Sequence, residues 1–342
     1  MADSNLRVLV VIPTLNESLH IEAVIERILA DSPPAELKVV VVDGGSTDGT
    51  CGIVTALAAQ HRCLHLMHNP RRIQSAAINL AARAFGHDAD VLIRCDAHAI
   101  YPPDFVSRLL RSLERTGADS IVVPLDSLGL TPLQQAVAWV SNSVLGTGGA
   151  AHRAGTVSGF VDHGHHAAFR METFKKVGGY DETFSHNEDA EFDCRQRALG
   201  CKLYLDAEVR VGYHPRAALK ALFHQYFCYG TGRSRTARRH PHSLRARQLA
   251  VPLHLVACAT AIVVSPWFTW LLLWPACYFT VLAFATLWFA VRKRSLSGFL
   301  TAPAAAVMHF AWGTGFFSGL LKRRERIWYP RMIMPMQSKE SR

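Results

Sequence analysis

Two cysteines spaced as CxxC occur nowhere in this 342-residue sequence, although it holds 8 cysteines. That absence argues against a thioredoxin-like redox centre or a zinc ribbon. The scattered thiols, Cys95 among them, read as reduced core residues. A GxxxxGK[ST] stretch is also missing, which argues against a P-loop nucleotide hydrolase. No GxGxxG links the first apolar run to the segment behind it, where a dinucleotide fingerprint belongs. The nearest approach, GTGGAA from Gly146, is incomplete and misplaced. The first residues do not form an export signal: the apolar run Val8 to Ile12 is too short and no small-residue cleavage site comes after it.

Acidic residues are absent between Glu208 and Glu325, while nine Lys or Arg lie between Val209 and Gln248, including RSRTARRHPHSLRAR. Such a run suits nucleic acid or an anionic membrane surface. The adjoining segment favours the membrane. From Leu249 to Val291 no residue is charged, long enough for two crossings of about 20 residues each. Pro266 and Pro275 are candidates for the hairpin, with Trp267, Trp270 and Trp274 near an interface. A third apolar stretch, Phe299 to Leu321, is weakened by Pro303, His309 and the GTG at Gly313. Basic clusters flank these blocks, and all favour the cytoplasmic side. Two spans followed by a re-entrant or interfacial third segment satisfy every cluster; three full spans would place KRRER outside.

Up to about residue 215 the pattern alternates. VLVVI, KVVVVD, CLHLMH, DVLIRCD and SIVVP read as strands. Between them Ile21, Val24, Ile25, Ile28 and Leu29 recur at helical spacing, and further helices are expected from Thr50, Gln74 and Pro103. Continuous apolar strands alternating with helices predict a mostly parallel sheet covered on both faces, with ligands bound beyond the carboxyl ends of the strands. At those ends stand PTLNE (Pro13 to Glu17), DGGSTDGT (Asp43 to Thr50) and DAH (Asp96 to His98). Asp48 reads as a cap of the next helix. Together the loops would put at least three acids on one rim.

VVIPTLNE, VVDGGSTDGT, RCDAHA, VGGYDE and NEDAEF occur in this order between Val10 and Phe192. The set resembles the inverting family 2 glycosyltransferases of the GT-A fold, with the nearest likeness to glucosyltransferases of succinoglycan-type exopolysaccharide assembly. The resemblance implies a Rossmann-like catalytic domain over 1–215 and a basic juxtamembrane segment over 216–248. Membrane-associated helices over 249–330 and a tail over 331–342 complete the expected layout. It also implies a nucleotide-sugar donor bound by Pro13, Thr14, Asn16, Glu17 and Asp43, with Gly44 where many relatives carry a second acid. Arg71 or Arg72 would approach the phosphates or the base.

DAH stands in place of the family's DxD, so Asp96 and His98 would share a divalent metal, Mn²⁺ or Mg²⁺. On extended chain an i, i+2 pair points both side chains the same way. Asp96 would also face the donor. The likeness puts the catalytic base on Asp189 and acceptor binding on Glu188, with Glu191 and Asp193 assigned to the helix surface. His165 and His166, in the Asp162 to His166 cluster, read as an acceptor or donor-sugar wall rather than zinc ligands, since no zinc spacing is present. His214 is a further candidate for reaching the metal. HQYFCYGTGR sits where membrane-bound relatives keep QxxRW; Gln225 is present, but Cys228 and Tyr229 fill the RW positions. That favours addition of one sugar over polymer synthesis, with Gln225 and Arg233 closing over the diphosphate. The implied enzyme is a metal-dependent hexosyltransferase at the bacterial inner membrane, catalytic domain in the cytoplasm. It would take UDP-glucose and a polyprenyl-diphosphate-linked glycan, and no nucleic acid. Direct transfer to polyprenyl phosphate, or a non-catalytic basic membrane adaptor, are the alternatives.

Overall fold

The computed structural model describes residues 6–33, 35–148, 156–322 and 328. The elements in chain order begin β1 (Leu6–Thr14), α1 (Ile21–Leu29), β2 (Ala35–Asp43), α2 (Thr50–Gln60), β3 (Leu64–His68), α3 (Gln74–Phe85), β4 (Val91–Arg94), β5 (Ala99–Ile100), α4 (Phe105–Thr116), β6 (Ser120–Val123) and β7 (Leu125–Ser127). They continue with α5 (Pro132–Ser141), α6 (Val144–Thr147), β8 (Gly159–Val161), β9 (His165–Arg170), α7 (Met171–Val177), α8 (Glu188–Ala198), β10 (Leu203–Leu205) and β11 (Val211–Tyr213). The last four helices are α9 (Leu219–Arg239), α10 (Ala246–Val264), α11 (Leu273–Lys293) and α12 (Thr301–Leu321).

The chain divides into two units, 1–125 with 155–211 and 326–342, and 126–154 with 212–325. In the first, an eight-stranded sheet among the described residues runs β3-β2-β1-β4-β9-β6-β10-β8. β1 pairs in parallel with β2 and β4, and β2 with β3. β9 runs antiparallel between β4 and β6, and β8 antiparallel to β10. Strand residues alternate between the sheet's faces, so β1 sends Val8, Val10 and Ile12 to one core and Leu9 and Val11 to the other. Each such side chain, once buried, contributes roughly 1.5–3 kcal/mol. That is why these strands read as unbroken apolar runs, and why their polar residues collect at the ends.

The division between the units falls between 211 and 212, and residues 126–154 group with the second unit. Helix α5 carries Val137 and Val140 into a cluster with Leu222, Leu282, Ala304, Ala305 and Met308. Among the described residues three segments are long and apolar enough to cross a membrane: Ala246–Val264, Thr269–Lys293 and Leu296–Leu321. The connection between α10 and α11 contains Pro266, whereas Pro275 stands in the first turn of α11, where its missing N–H costs nothing. The third segment differs from the others: 44% of its window is buried within the protein, against 17% and 11%. Its cover is α9. A Cβ on Gly230 would collide with the Trp312 carbonyl, and one on Gly315 with the Phe227 carbonyl, so glycine lets the two backbones touch. The expected tail over 331–342 lies outside the described residues, as does most of KRRER.

Candidate active site

The loops after β1 and β2 are laced together. Asn16, at φ 58°, accepts from the Thr47 amide at 2.9 Å and donates its own amide to Ser46 Oγ at 2.8 Å. The Glu17 amide donates to Thr50 Oγ1, and that of Ser18 to Asp48. Asp48 also accepts from the Thr50 hydroxyl and amide, although Gly49 is the residue at the helix N-cap, and these bonds, the Thr50 hydroxyl first, hold its carboxyl well below the usual range. Burial pushes the Asp43 carboxyl up, but bonds from Ser46 and Gly45 outweigh it and leave it lowered. Asp43 thus organises the loop with both oxygens. Gly44 donates to the Thr14 carbonyl, and a Cβ there would stand 3.4 Å from the Arg72 backbone. Pro13, Thr14, Asn16, Glu17, Asp43, Gly44 and Arg72 therefore line one rim, where the buried Thr14 hydroxyl has no hydrogen-bond partner. Arg71 turns elsewhere, to Glu182 at 2.7 Å.

DAH is not extended. The Ala99 amide turns back to the Asp96 carbonyl, and Tyr101 Oη accepts from the Asp96 amide at 2.6 Å. A turn replaces the extended chain on which the i, i+2 alignment of Asp96 and His98 was expected. His98 Nδ1 stands 2.9 Å from Glu17 Oε1, while the Asp96 carboxylate accepts from Gln74 at 2.7 Å and lies 3.6 Å from His165 Nε2. Burial raises the Asp96 carboxyl, and Arg94, His165 and His98 more than reverse this, leaving it lowered. Cys95 is fully buried; that burial pushes its thiol far up, so the redox role stays excluded.

On the other wall, Asn187 (φ 64°) precedes α8, whose first turn presents Glu188 and Asp189. Asp189 Oδ1 takes the Tyr180 hydroxyl at 2.9 Å and Arg94 Nη1 at 2.5 Å. Arg94 also lies 3.6 Å from Asp96 and 3.8 Å from Glu188. Burial and the neighbouring Asp189 raise the Glu188 carboxyl to about 7, against the pull of Arg94. His165 bridges the cleft, with Nδ1 4.0 Å from Asp189 Oδ2. Thus Asp96, His165, Glu188 and Asp189 lie together around Arg94.

His166 is not a cleft wall. Strand alternation buries it completely on the opposite face, its Nε2 2.5 Å from Asp193 and its ring stacked on Phe169. Asp193 and Glu191 are likewise buried rather than on the helix surface. Asp193 is lowered to about 2, because His166 and His163 outweigh its burial, and Glu191 pairs with Arg195 at 2.8 Å. Gln225 and Arg233 belong to the second unit. There Gln225 donates to Tyr229 at 3.0 Å, and the buried Arg233 donates to the Ser243 carbonyl and hydroxyl. His214, also there, stands 2.7 Å from the Leu128 carbonyl.

Arg94, Tyr180 and Asn79 were not anticipated from the sequence. The signal for Arg94 was its own charge at the end of the apolar strand DVLIR. A buried cation needs opposite charge beside it, and leaving one unpaired costs about 3–5 kcal/mol. Asn79 holds the VGGYDE turn: it accepts from the Tyr180 amide at 2.9 Å and donates to the Tyr180 carbonyl and to Glu182. Gly179, at φ +74°, has no room for a Cβ against the Asn79 side chain.

A mostly parallel sheet with acidic loops at its strand ends, faced by a carboxylate from a later helix, is the GT-A architecture of a glycosyltransferase. The chain belongs to glycosyltransferase family 2: the family described as Glycosyl transferase family 2 matches residues 9–178. The chain is 43% identical over 320 residues to the succinoglycan biosynthesis protein ExoA of Rhizobium meliloti (strain 1021), covering 93% of this chain and 96% of that protein. Polyprenol monophosphomannose synthase of Mycolicibacterium smegmatis is 34% identical over 116 residues, 33% of this chain and 43% of its own. Among solved structures, mannosyltransferase PcManGT from Pyrobaculum calidifontis, in complex with GDP-Man and Mn²⁺, shares the fold. Its TM-score is 0.57 at 21% identity, over 94% of this chain and 89% of its own.

Proposed function

We propose that this chain adds a single sugar, glucose from UDP-glucose, to a lipid-linked oligosaccharide during exopolysaccharide assembly, with inversion at the anomeric carbon. The supporting observation is the His165 ring standing between Asp96 and Asp189, at 3.6 Å and 4.0 Å. In this reading Asp96 is the diphosphate-side carboxylate and Asp189 the base-side one, with the ring between them, an arrangement that fits proton removal from an acceptor during an in-line displacement. Similarity to the Rhizobium protein over nearly its whole length supports the biosynthetic setting. The apolar helices fit an acceptor carried in a membrane, with the catalytic unit on the cytoplasmic side.

In this reading the rim from Pro13 to Glu17, with Asp43, Gly44 and Arg72, receives the nucleotide, and Asp189 removes the proton of the acceptor hydroxyl. Glu188 and His165 line the acceptor side. Among the described residues no group of three or more His, Cys, Asp or Glu is gathered for a metal. The donors available, Asp96 and His98, suit an Mn²⁺ or Mg²⁺ ion completed by diphosphate oxygens. When bound, such an ion neutralises charge on the departing diphosphate.

The test is a screen of nucleotide sugars against lipid-linked acceptor extracts with full-length protein in detergent, the product linkage being determined. A β-linked glucoside formed only with divalent metal is expected. Undiminished transfer by Asp189→Asn would sink the assignment of the base. A second reading, transfer to polyprenyl phosphate itself, is favoured by the likeness to the Mycolicibacterium synthase. Product formation on bare polyprenyl phosphate would select it.

A further inference from the structure

We propose that Arg94 is the positioning residue for the base: together with Tyr180 it fixes one oxygen of Asp189, Oδ1, and so assigns proton abstraction to the other, Oδ2. This rests on the reading of Asp189 as the base.

The two oxygens of Asp189 have different surroundings. Oδ1 accepts from Arg94 Nη1 and from the Tyr180 hydroxyl, and the same Nη1 lies 3.3 Å from the Tyr180 oxygen, closing a three-membered set. Oδ2 has no hydrogen bond among the described residues; the histidine facing it, His165, is 4.0 Å away on the cleft side. Two donors on one oxygen fix the carboxylate plane and occupy that oxygen's lone pairs. The remaining lone pairs, on Oδ2, point where an acceptor hydroxyl would enter.

Arg94 can hold this position because it cannot move. It ends β4, its side chain is 4% exposed, and the strand anchors it between Val11 on β1 and the antiparallel β9. Its Nε has no partner, so the guanidinium acts through its Nη atoms alone. Tyr180 is held as firmly, through Asn79 on both its amide and its carbonyl. Arg94 Nη2 also faces Asp96 and Glu188, so one buried cation spans the donor-side and acceptor-side carboxylates.

In the step itself the acceptor oxygen bonds to the anomeric carbon. The bond from that carbon to the diphosphate oxygen breaks, with its electron pair leaving on the diphosphate. The acceptor proton passes to Asp189 Oδ2, and Arg94 and Tyr180 keep their protons.

The test compares wild type, Arg94→Met, Arg94→Lys, Tyr180→Phe and Asp189→Asn, full length in detergent. Steady-state transfer from UDP-glucose to lipid-linked acceptor extract is measured beside calorimetric binding of UDP with Mn²⁺. Misplacing a reacting group by about 1 Å costs about 100-fold. Arg94→Met should therefore lose about 100-fold in kcat, and some UDP affinity as well because Arg94 also faces Asp96, whereas Tyr180→Phe touches Asp189 alone of the two and should keep donor KM and UDP affinity within about twofold of wild type. Arg94→Lys should recover part of that loss, and Tyr180→Phe should lose about tenfold. A folded Arg94→Met that keeps kcat, or a Tyr180→Phe that loses UDP binding in step with kcat, would overturn the proposal. If Arg94→Met does not fold, Tyr180→Phe decides, and unchanged kcat there would overturn it. Wild-type activity in Asp189→Asn would overturn the assignment of the base itself, which separates the two failures.

Discussion

His98 Nδ1 stands 2.9 Å from Glu17 Oε1, joining the loop after β1 to the turn after β4. The contact engages Nδ1 with a carboxylate, an arrangement common behind metal-binding histidines. His98→Ala should raise the Mn²⁺ concentration giving half-maximal transfer by about tenfold. Glu17→Gln should shift it less, in the same direction, and His98→Asp should restore it. A Mn²⁺ titration of transfer checks all three, and an unchanged midpoint in His98→Ala would remove the histidine from the metal site.

The Asn79 clamp predicts an effect at a distance. Asn79→Ala removes both bonds to the Tyr180 backbone and one to Glu182, leaving buried polar groups unpaired at about 1–3 kcal/mol each. Lower thermal stability is expected, together with a fall in kcat larger than any change in donor KM. Equal losses in kcat and donor affinity would place the clamp's influence on the nucleotide rim instead.

His165 and His166 are neighbours with opposite fates. His165→Ala should weaken acceptor use with little change in melting temperature. His166→Ala empties a fully buried site and removes a partner of buried Asp193, so about 2–5 kcal/mol of stability should go, with acceptor KM unchanged in the protein that remains folded. Acceptor titrations beside thermal melts separate the two.

The rim was legible because its logic is local. Asp43, Gly44 and Asp96 stand beside strand ends that hydrophobic periodicity locates, while Asp189 was reached through the family likeness. The hidden features depend on contacts far apart in sequence. Arg94 and Asp189 are 95 residues apart, and nothing near Arg94 announces its partner. Glu191 and Asp193 looked like surface because an acidic first turn usually is, yet His166 and Arg195 draw them inward. Asp96 and His98 were placed on extended chain, and a single turn bond from Ala99 bends that segment instead.

Glu188 supplies a pH signature. Its carboxyl is raised from 4.5 to about 7, with burial the main cause. A raised folded value means the folded protein holds the proton more tightly than the unfolded chain. Glu188 therefore stabilises below pH 4.5, and that contribution is lost as pH rises to 7. Against Glu188→Gln, the wild type should lose stability across this window, on the order of 2 kcal/mol. Parallel melting curves of the two proteins in chelator-treated buffer, from pH 4.5 to 7.5, would show the gap widening. A constant gap would mean that Glu188 is ionised throughout.

The contact of α9 with α12 makes the last prediction. Gly315 faces the Phe227 carbonyl and Gly230 faces the Trp312 carbonyl, so a methyl group at either must push backbone, not a flexible side chain. Gly→Ala ordinarily favours a helix by about 1 kcal/mol. Here the sign reverses, because overpacking typically costs about 1–3 kcal/mol and these helices have no soft neighbour to yield. Gly315→Ala and Gly230→Ala should both lower the melting temperature in detergent, while Leu287→Ala, on the exposed face of α11, should not. If α12 were instead an independent lipid-facing span, Gly315→Ala would be neutral or stabilising, so the sign of the shift alone decides whether α9 is its partner.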